Sequence, residues 1–158
     1  MPTVVWSHVL ALGHQRIDAE HQALVDLAGE IEDLIDGRAA VTAIADRLAC
    51  FHRLLVLHFA YEERLMNALP TTSYRTRVAG HCQDHATMIE QVRLIMERSG
   101  CGDCRHDALK PFSTTIITMM NDLILDDAEL IGALILEGYH SFRSGALDTA
   151  GEPAAAEG

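Results

Sequence analysis

The sequence predicts an all-α protein with the architecture of an up-down-up-down four-helix bundle. Four long segments carry apolar residues at helical spacing, and glycine or proline separates them. The segments are similar in length and their connections are short, which favours antiparallel neighbours in a bundle. Strand-favouring residues are sparse, with 4 Phe, 3 Tyr and 1 Trp in 158 residues. We therefore expect no sheet.

The first two helices are bounded by clear start and stop signals. The first is predicted over 18–36, with Asp18 as its N-cap and Gly37 as its C-terminal signal. The second is predicted over 42–69, where Pro70 stops it.

The third helix is predicted over 73–98 and the fourth over 107–140, with Pro111 in or near the first turn of the fourth. These segments predict one domain, a bundle over 1–140. The remaining residues, 141–158, are small and polar and are expected to form a flexible C-terminal tail.

The formal charge of -11 argues against binding to nucleic acid or to an anionic membrane surface, since both need a basic face. No stretch is apolar enough to predict a membrane span, and the N-terminus lacks the pattern of a secretory leader. A cytoplasmic location is expected.

Histidine and carboxylate pairs mark the middle of two helices. His58 and Glu62 stand four residues apart on the second helix, and His81 and His85 have the same spacing on the third. Residues at this spacing share one helix face. Each pair is therefore expected to point in one direction.

The other two helices each add one such group to the core-facing side. His21 falls on the apolar stripe that includes Ile31 on the first helix. Asp127 falls on the stripe of Leu130 and Leu134 on the fourth helix. Every helix of the predicted bundle thus directs at least one nitrogen or oxygen ligand inward.

Burying this many titratable groups without a cation would cost several kcal/mol for each group. A bound metal removes that cost, and mixed imidazole and carboxylate ligands suit iron, with manganese or zinc as alternatives. Glu62 and Asp127 each carry two oxygens, so each can bridge two ions. Six side chains are too many for one ion that keeps an open position, and the sequence therefore predicts two iron ions.

With these motifs in place, the sequence resembles the bacterial hemerythrins from about Trp6 to Leu134. The resemblance is carried by "LGHQRIDAEH" ending in His21, by "HFAYEERLM", and by His81 with His85. The last family motif is a histidine followed five residues later by an aspartate, and "DLILDD" fits that frame.

The resemblance implies a non-haem di-iron centre that binds O2 reversibly. One iron would be held by His21 and His58, and the other by His81, His85 and a histidine of the fourth helix. Glu62, Asp127 and an oxo or hydroxo group would bridge the pair, and the two-histidine iron would keep the position open for O2.

Asp122 stands where the family has its fourth-helix histidine. If Asp122 ligates iron, its negative charge stabilises Fe(III), which favours autoxidation or oxidative turnover over O2 carriage. If its side chain is too short to reach, the second iron keeps an open position as well. A frame shifted by one would use Asn121 and Asp126, but it takes the bridging acid off the apolar stripe.

Three functions follow from these patterns. The first is O2 binding for storage, delivery or sensing. The second is a di-iron peroxidase or oxidase, motivated by Asp122, with peroxide or another small diatomic molecule as ligand. The third is a redox- or NO-responsive module in which Cys101 and Cys104 of "CGDC" act as a thiol relay, although a plain loop is the preferred interpretation of one CxxC. The sequence does not identify a protein partner.

The remaining histidines match no ligand position and are expected at the surface or at an edge: His8, His14, His52, His106 and His140. Of these, His14 is the candidate for lining an access path. Cys50 and Cys82 are expected to be small core residues.

Overall fold

In a computed structural model of the chain, four helices account for most of the described residues, which are 5–69, 73–100, 109 and 111–138. The helices are α1 (Gln15–Asp36), α2 (Val41–Ala68), α3 (Val78–Gly100) and α4 (Pro111–Leu136). The described residues contain no strand, so the all-α prediction is confirmed.

The four helices pack in a ring. Consecutive helices contact each other, and α4 returns to contact α1. Short 3-10 turns at His8–Leu10 and Ser73–Thr76 precede α1 and α3 respectively. None of the described helices combines the length and the apolar character needed to cross a bilayer.

The start of α1 differs from the prediction that Asp18 is its N-cap. The helix begins three residues earlier, and the cap is His14, whose Nδ1 accepts from the backbone N–H of Ile17 at 3.3 Å. The carboxylate of Asp18 accepts from the backbone N–H groups of Leu12 at 2.7 Å and Gly13 at 3.0 Å. Gly13 makes this possible because its φ of +87° is a backbone conformation that glycine adopts without steric cost.

Helix α2 agrees with the prediction to within one residue at each end, whereas α3 and α4 begin five and four residues later than predicted. Helix α3 begins at Val78 rather than at Ser73, because the intervening residues form a 3-10 turn that buries Tyr74. Helix α4 begins at Pro111, whose missing N–H costs nothing at a first helical position. It ends at Leu136, earlier than predicted. The proposed tail over 141–158 lies outside the described residues.

The interior contains two apolar clusters. The larger is built around the aromatic pair Phe51 and Phe112, and the smaller contains Tyr61, Leu130 and Leu134. On α1 and α4, His21 and Asp127 fall between the residues of these two clusters. On α2 and α3, the inward-facing histidines and Glu62 lie where one cluster gives way to the other. A buried polar layer therefore crosses the bundle between two apolar regions.

Candidate metal centre

Six of the seven predicted metal-site side chains converge in this polar layer. Glu62, Asp127, His21 and His58 are 0% exposed, whereas His85 is 1% and His81 is 6% exposed. They come from all four helices, and the i,i+4 spacing on α2 and α3 turns both members of each pair to the same face, as the sequence predicts.

The six side chains form two overlapping groups of four, and each group offers ligand atoms that lie within 4.8 Å of one another. One half of the cluster adds His21 and His58 to the shared carboxylates of Glu62 and Asp127; the other half adds His81 and His85 to the same two carboxylates. Each half therefore presents two imidazoles and one oxygen from each of two acids.

The carboxylate of Glu62 divides its oxygens between the two halves. Its Oε1 lies 3.3 Å from His58 Nε2, and its Oε2 lies 3.3 Å from His85 Nε2. A carboxylate that faces one imidazole with each oxygen has the arrangement of a bridge between two cations.

Asp127 divides its oxygens in the same way. Its Oδ2 lies 2.9 Å from His21 Nε2, and its Oδ1 lies 3.4 Å from His81 Nε2. On the first side, His21 Nε2 and His58 Nε2 are 3.1 Å apart, so both imidazoles point at the same small volume.

The residues present fit a bound cation in each half. Both oxygens of Glu62, both oxygens of Asp127 and Nε2 of His85 are buried without a hydrogen bond of acceptable geometry, although imidazole nitrogens lie close to them. Buried polar atoms without a hydrogen-bond partner are rare in native structures because each one costs free energy. Imidazole nitrogen and carboxylate oxygen are natural ligands of a transition metal, and a cation would satisfy these atoms together.

Two of the imidazoles, those of His58 and His85, are held in the neutral form that metal binding needs. Burial lowers the pKa of His58, and burial together with the neighbouring His81 lowers the pKa of His85 to about 3. Neutral imidazole keeps a lone pair on one nitrogen, whereas the protonated ring has none to offer.

The two carboxylates respond to each other. Burial and the adjacent Asp127 raise the pKa of Glu62 well above its usual range. Burial would also raise the pKa of Asp127, but His21 and His81 outweigh it and lower the pKa to about 2. Without a cation, the negative charge is therefore favoured on Asp127 and disfavoured on the neighbouring Glu62.

The outer nitrogen of His58 has a charged partner. Its Nδ1–H donates to Glu20 Oε2 at 2.9 Å, and Glu20 Oε1 in turn accepts from Arg16 Nε at 2.8 Å. Burial alone would raise the pKa of Glu20, but the hydrogen bonds from His58 and Arg16 hold it below its usual value.

The other outer nitrogens differ from one another. Nδ1 of His81 is hydrogen-bonded to the hydroxyl of Tyr74, and Nδ1 of His85 lies 3.3 Å from Glu63 Oε1. Nδ1 of His21 is buried without a hydrogen bond to any described residue. Partners of this kind orient a ligating imidazole and fix its tautomer.

The sequence pattern did not indicate Glu20, Glu63 or Tyr74. The one available signal was that a carboxylate stands next to a ligand-type residue in "AEH" and in "YEE". Neighbouring residues in a helix point to different faces, so this adjacency does not predict that Glu20 or Glu63 contacts a metal-ligating histidine.

A polar cleft of about 220 Å³ opens beside one half of the cluster. His81 and Tyr74 line it together with the acidic residues Asp84, Asp126 and Glu129. Asp126 therefore lies at the cleft rather than in the cluster, and burial and the neighbouring acids raise its pKa even though His81 opposes them.

Several predicted features lie outside the described part of the chain. They include the side chains of Asn121 and Asp122, although the backbone of both belongs to α4, and the whole of His140. The segment with Cys101, Cys104 and His106 also falls outside it.

The remaining histidines give a mixed outcome. His8 is exposed, as predicted, and His52 is half-buried. The prediction for His14 was wrong: it is 3% exposed, because it caps α1 and its Nε2 lies 3.5 Å from the hydroxyl of Tyr61. Cys50 and Cys82 are half-buried rather than core residues.

A helical bundle that buries two overlapping sets of imidazoles and carboxylates defines a candidate cation-binding protein. Residues 12–123 match the family model described as the hemerythrin HHE cation binding domain. The chain therefore belongs to the hemerythrin family, which confirms the resemblance predicted from the motifs. The matched region includes every cluster residue except Asp127.

The curated relatives include proteins named bacteriohemerythrin from strains of Pseudomonas aeruginosa. Two of them are each 28% identical to this chain over 136 residues, which is 85% of this chain and 83% of the relative. No solved structure matches the chain.

Proposed function

We propose that the chain holds two iron ions, one between His21 and His58 and one between His81 and His85, with Glu62 and Asp127 bridging them. The observation that carries this proposal is the division of both carboxylates, each of which faces one imidazole on either side with its two oxygens. Among the described residues, the cluster combines imidazole and carboxylate with no thiolate, which favours iron over a structural zinc site.

The proposed activity is reversible O2 binding, for storage, delivery or sensing. The relatives' name, bacteriohemerythrin, supports it, as does the burial of the centre. The four described side chains of each half leave room in the coordination sphere of an iron ion, which commonly takes more than four ligands. The iron pair, when bound, supplies the electrons that O2 binding requires, and the protein supplies a dry site and fixed ligands.

Peroxide reduction or another oxidative reaction is the second candidate. The cleft at His81 is polar and carries three acids, so it suits a water-soluble reactant and the protons that reduction of peroxide consumes. The aspartate at position 122, in place of the family's histidine, is a second reason, because an added negative charge stabilises the oxidised metal.

Anaerobic reconstitution with Fe(II) tests the proposal directly. We expect about two iron ions per chain, and an absorption band that appears with O2 and disappears under argon through repeated cycles. Oxidation without a reversible band, together with sustained peroxide consumption in the presence of a reductant, would favour the enzyme.

A matched pair of variants tests the ligand assignment. His58→Ala should lower bound iron, whereas His52→Ala, at a half-buried histidine on the same helix but outside the cluster, should retain it. Equal iron content in the two variants would contradict the assignment.

A further inference from the structure

The four imidazoles of the cluster are not equivalent on their outer sides. Among the described residues, only His58 donates to a carboxylate that an arginine holds in turn, since Glu20 accepts from His58 at 2.9 Å and from Arg16 at 2.8 Å through different oxygens. Both oxygens of Glu20 are thereby committed, and its side chain is 18% exposed. The corresponding carboxylate at His85, Glu63, is 41% exposed and lies farther from the ring, at 3.3 Å.

Arg16 is itself held in place by an aromatic ring. Its guanidinium lies 3.8 Å from the ring centroid of Tyr61, which is buried in α2. Arg16 and Glu20 are four residues apart on α1, so both lie on one face of that helix. Arg16 and Glu20 together form a brace on α1. The brace begins at the Tyr61 ring, which holds Arg16, and ends at the His58 ring, which donates to Glu20.

We infer that Arg16 and Glu20 are a positioning pair that orients His58 and strengthens it as a metal ligand. This inference rests on the proposed function, because it concerns the metal that His58 would hold. A carboxylate at Nδ1–H fixes the ring with Nε2 directed into the cluster and increases the electron density at Nε2. Arg16 keeps the carboxylate in that position, since its guanidinium presents fixed donors and cannot lose its proton at ordinary pH.

The pair also makes the two halves of the centre unequal. His81 has a neutral phenol as its outer partner, and His21 has no hydrogen-bond partner among the described residues. Among the described residues, a carboxylate that is itself bound to an arginine contacts the imidazole of His58 and none of the other three. Loss of the pair should therefore lower the affinity for one metal ion and leave the affinity for the other unchanged.

Cobalt(II) is a suitable probe, because it accepts the same imidazole and carboxylate ligands and its bound spectra report their geometry. We would titrate the full chain with Co2+ against a competing chelator to obtain two stepwise affinities. Glu20→Gln keeps the shape and an acceptor oxygen but removes the charge, and it should lower one affinity by about 10- to 100-fold. Arg16→Met keeps an apolar stem against Tyr61 and should lower the same affinity by a smaller factor.

A spectroscopic readout separates positioning from general stability. In the Co2+-loaded protein, the imidazole N–H protons have strongly shifted magnetic resonance signals that exchange with solvent. The signal of His58 should be among the slowest to exchange in the unaltered protein, and it should shift and exchange faster in Glu20→Gln. The remaining N–H signals should stay in place.

Helix α3 offers a matched control at Arg93, which bonds Glu90 and Glu97 at an exposed face. Glu97→Gln and Arg93→Met repeat the same changes in a pair that contacts no cluster residue. They should leave both affinities and all N–H signals unchanged.

Two failures are distinguishable. If the unaltered chain binds neither Fe(II) nor Co2+, the proposed function is wrong. If the unaltered chain binds two ions but Glu20→Gln has the affinities and N–H signals of the α3 controls, the positioning role is wrong and the proposed metal centre stands.

Discussion

The two halves of the candidate metal centre offer the same kinds of ligand in different surroundings. The half with His21 and His58 is sealed, since neither ring is exposed. The half with His81 and His85 borders a polar cleft, and His81 forms part of the cleft wall. Identical ligand types therefore do not make equivalent sites. Solvent access and the hydrogen-bond partners of the outer imidazole nitrogens depend on residues outside the cluster.

The difference extends to the charge on those outer residues. On the sealed side, the brace from Arg16 through Glu20 reaches His58. On the open side, a phenol and a half-exposed carboxylate contact the rings. We expect the sealed half to hold its cation by ligand strength and the open half to govern exchange with solvent.

The largest effect should come from a residue that both halves share. Glu62→Gln should abolish binding of both ions, because it removes the charge of a carboxylate that we propose bridges them. Cations present at about 1,000 times their dissociation constant stabilise the fold by about 4 kcal/mol for each site. The variant should lose that gain in melting temperature, as followed by circular dichroism with and without Fe(II).

The same variant should have the opposite effect without metal. The raised pKa of Glu62 means that its charged form is disfavoured in the folded protein, so at neutral pH the native carboxylate lowers the free energy of unfolding. Metal-free Glu62→Gln should therefore melt above the metal-free parent. Glu90→Gln, at an exposed position on α3, is the control; a lower melting temperature for metal-free Glu62→Gln would contradict the account of the site.

Single-histidine variants should separate the halves. His21→Ala and His81→Ala should each reduce iron from about two ions per chain to about one, because each removes a ligand from one half only. Elemental analysis after anaerobic loading and desalting measures the content. Loss of both ions in either variant would mean that the halves do not fill independently.

Position 122 tests whether the fourth helix tunes the centre. Asp122→His restores the imidazole of the family motif, and we expect it to lengthen the lifetime of the O2-bound protein by about tenfold, since a neutral ligand stabilises Fe(II) better than an anionic one. Stopped-flow absorption measures the decay. Asn121→His places an imidazole one residue away and should leave the lifetime unchanged; equal lifetimes for all three proteins would remove position 122 from the account.

The smallest effect should be on the rate of metal entry through the open side. The double variant Asp84→Asn with Asp126→Asn removes two negative charges from the cleft and should slow Fe(II) uptake by roughly tenfold or less at low salt. The difference should vanish at high salt, where such steering is screened.

The control for that rate is Asp26→Asn with Asp46→Asn, which makes the same charge change away from the cleft. Uptake that is slowed equally in both double variants would show an effect of net charge alone. Final iron content should be the same in every case.

The fold and the inward-facing groups were predictable because helical spacing determines which residues share a face. His58 with Glu62 needed no more than that rule. The outer partners were not predictable, because contact between Glu20 and His58 depends on how α1 is rotated against α2, which the sequence of either helix does not specify. His14 was missed for a different reason, since histidine is not among the preferred N-cap residues.

The polar layer between two apolar clusters has a consequence for how the bundle opens. Local unfolding proceeds in cooperative units, and such units follow contiguous packing. Here the polar layer lies nearer one end of the bundle, since His21 and His81 fall within the first two turns of α1 and α3. In the absence of cations, we expect the shorter end to separate without disrupting the longer one. A pair of ions ligated from all four helices would join the two ends, and the protein would then unfold as a single unit.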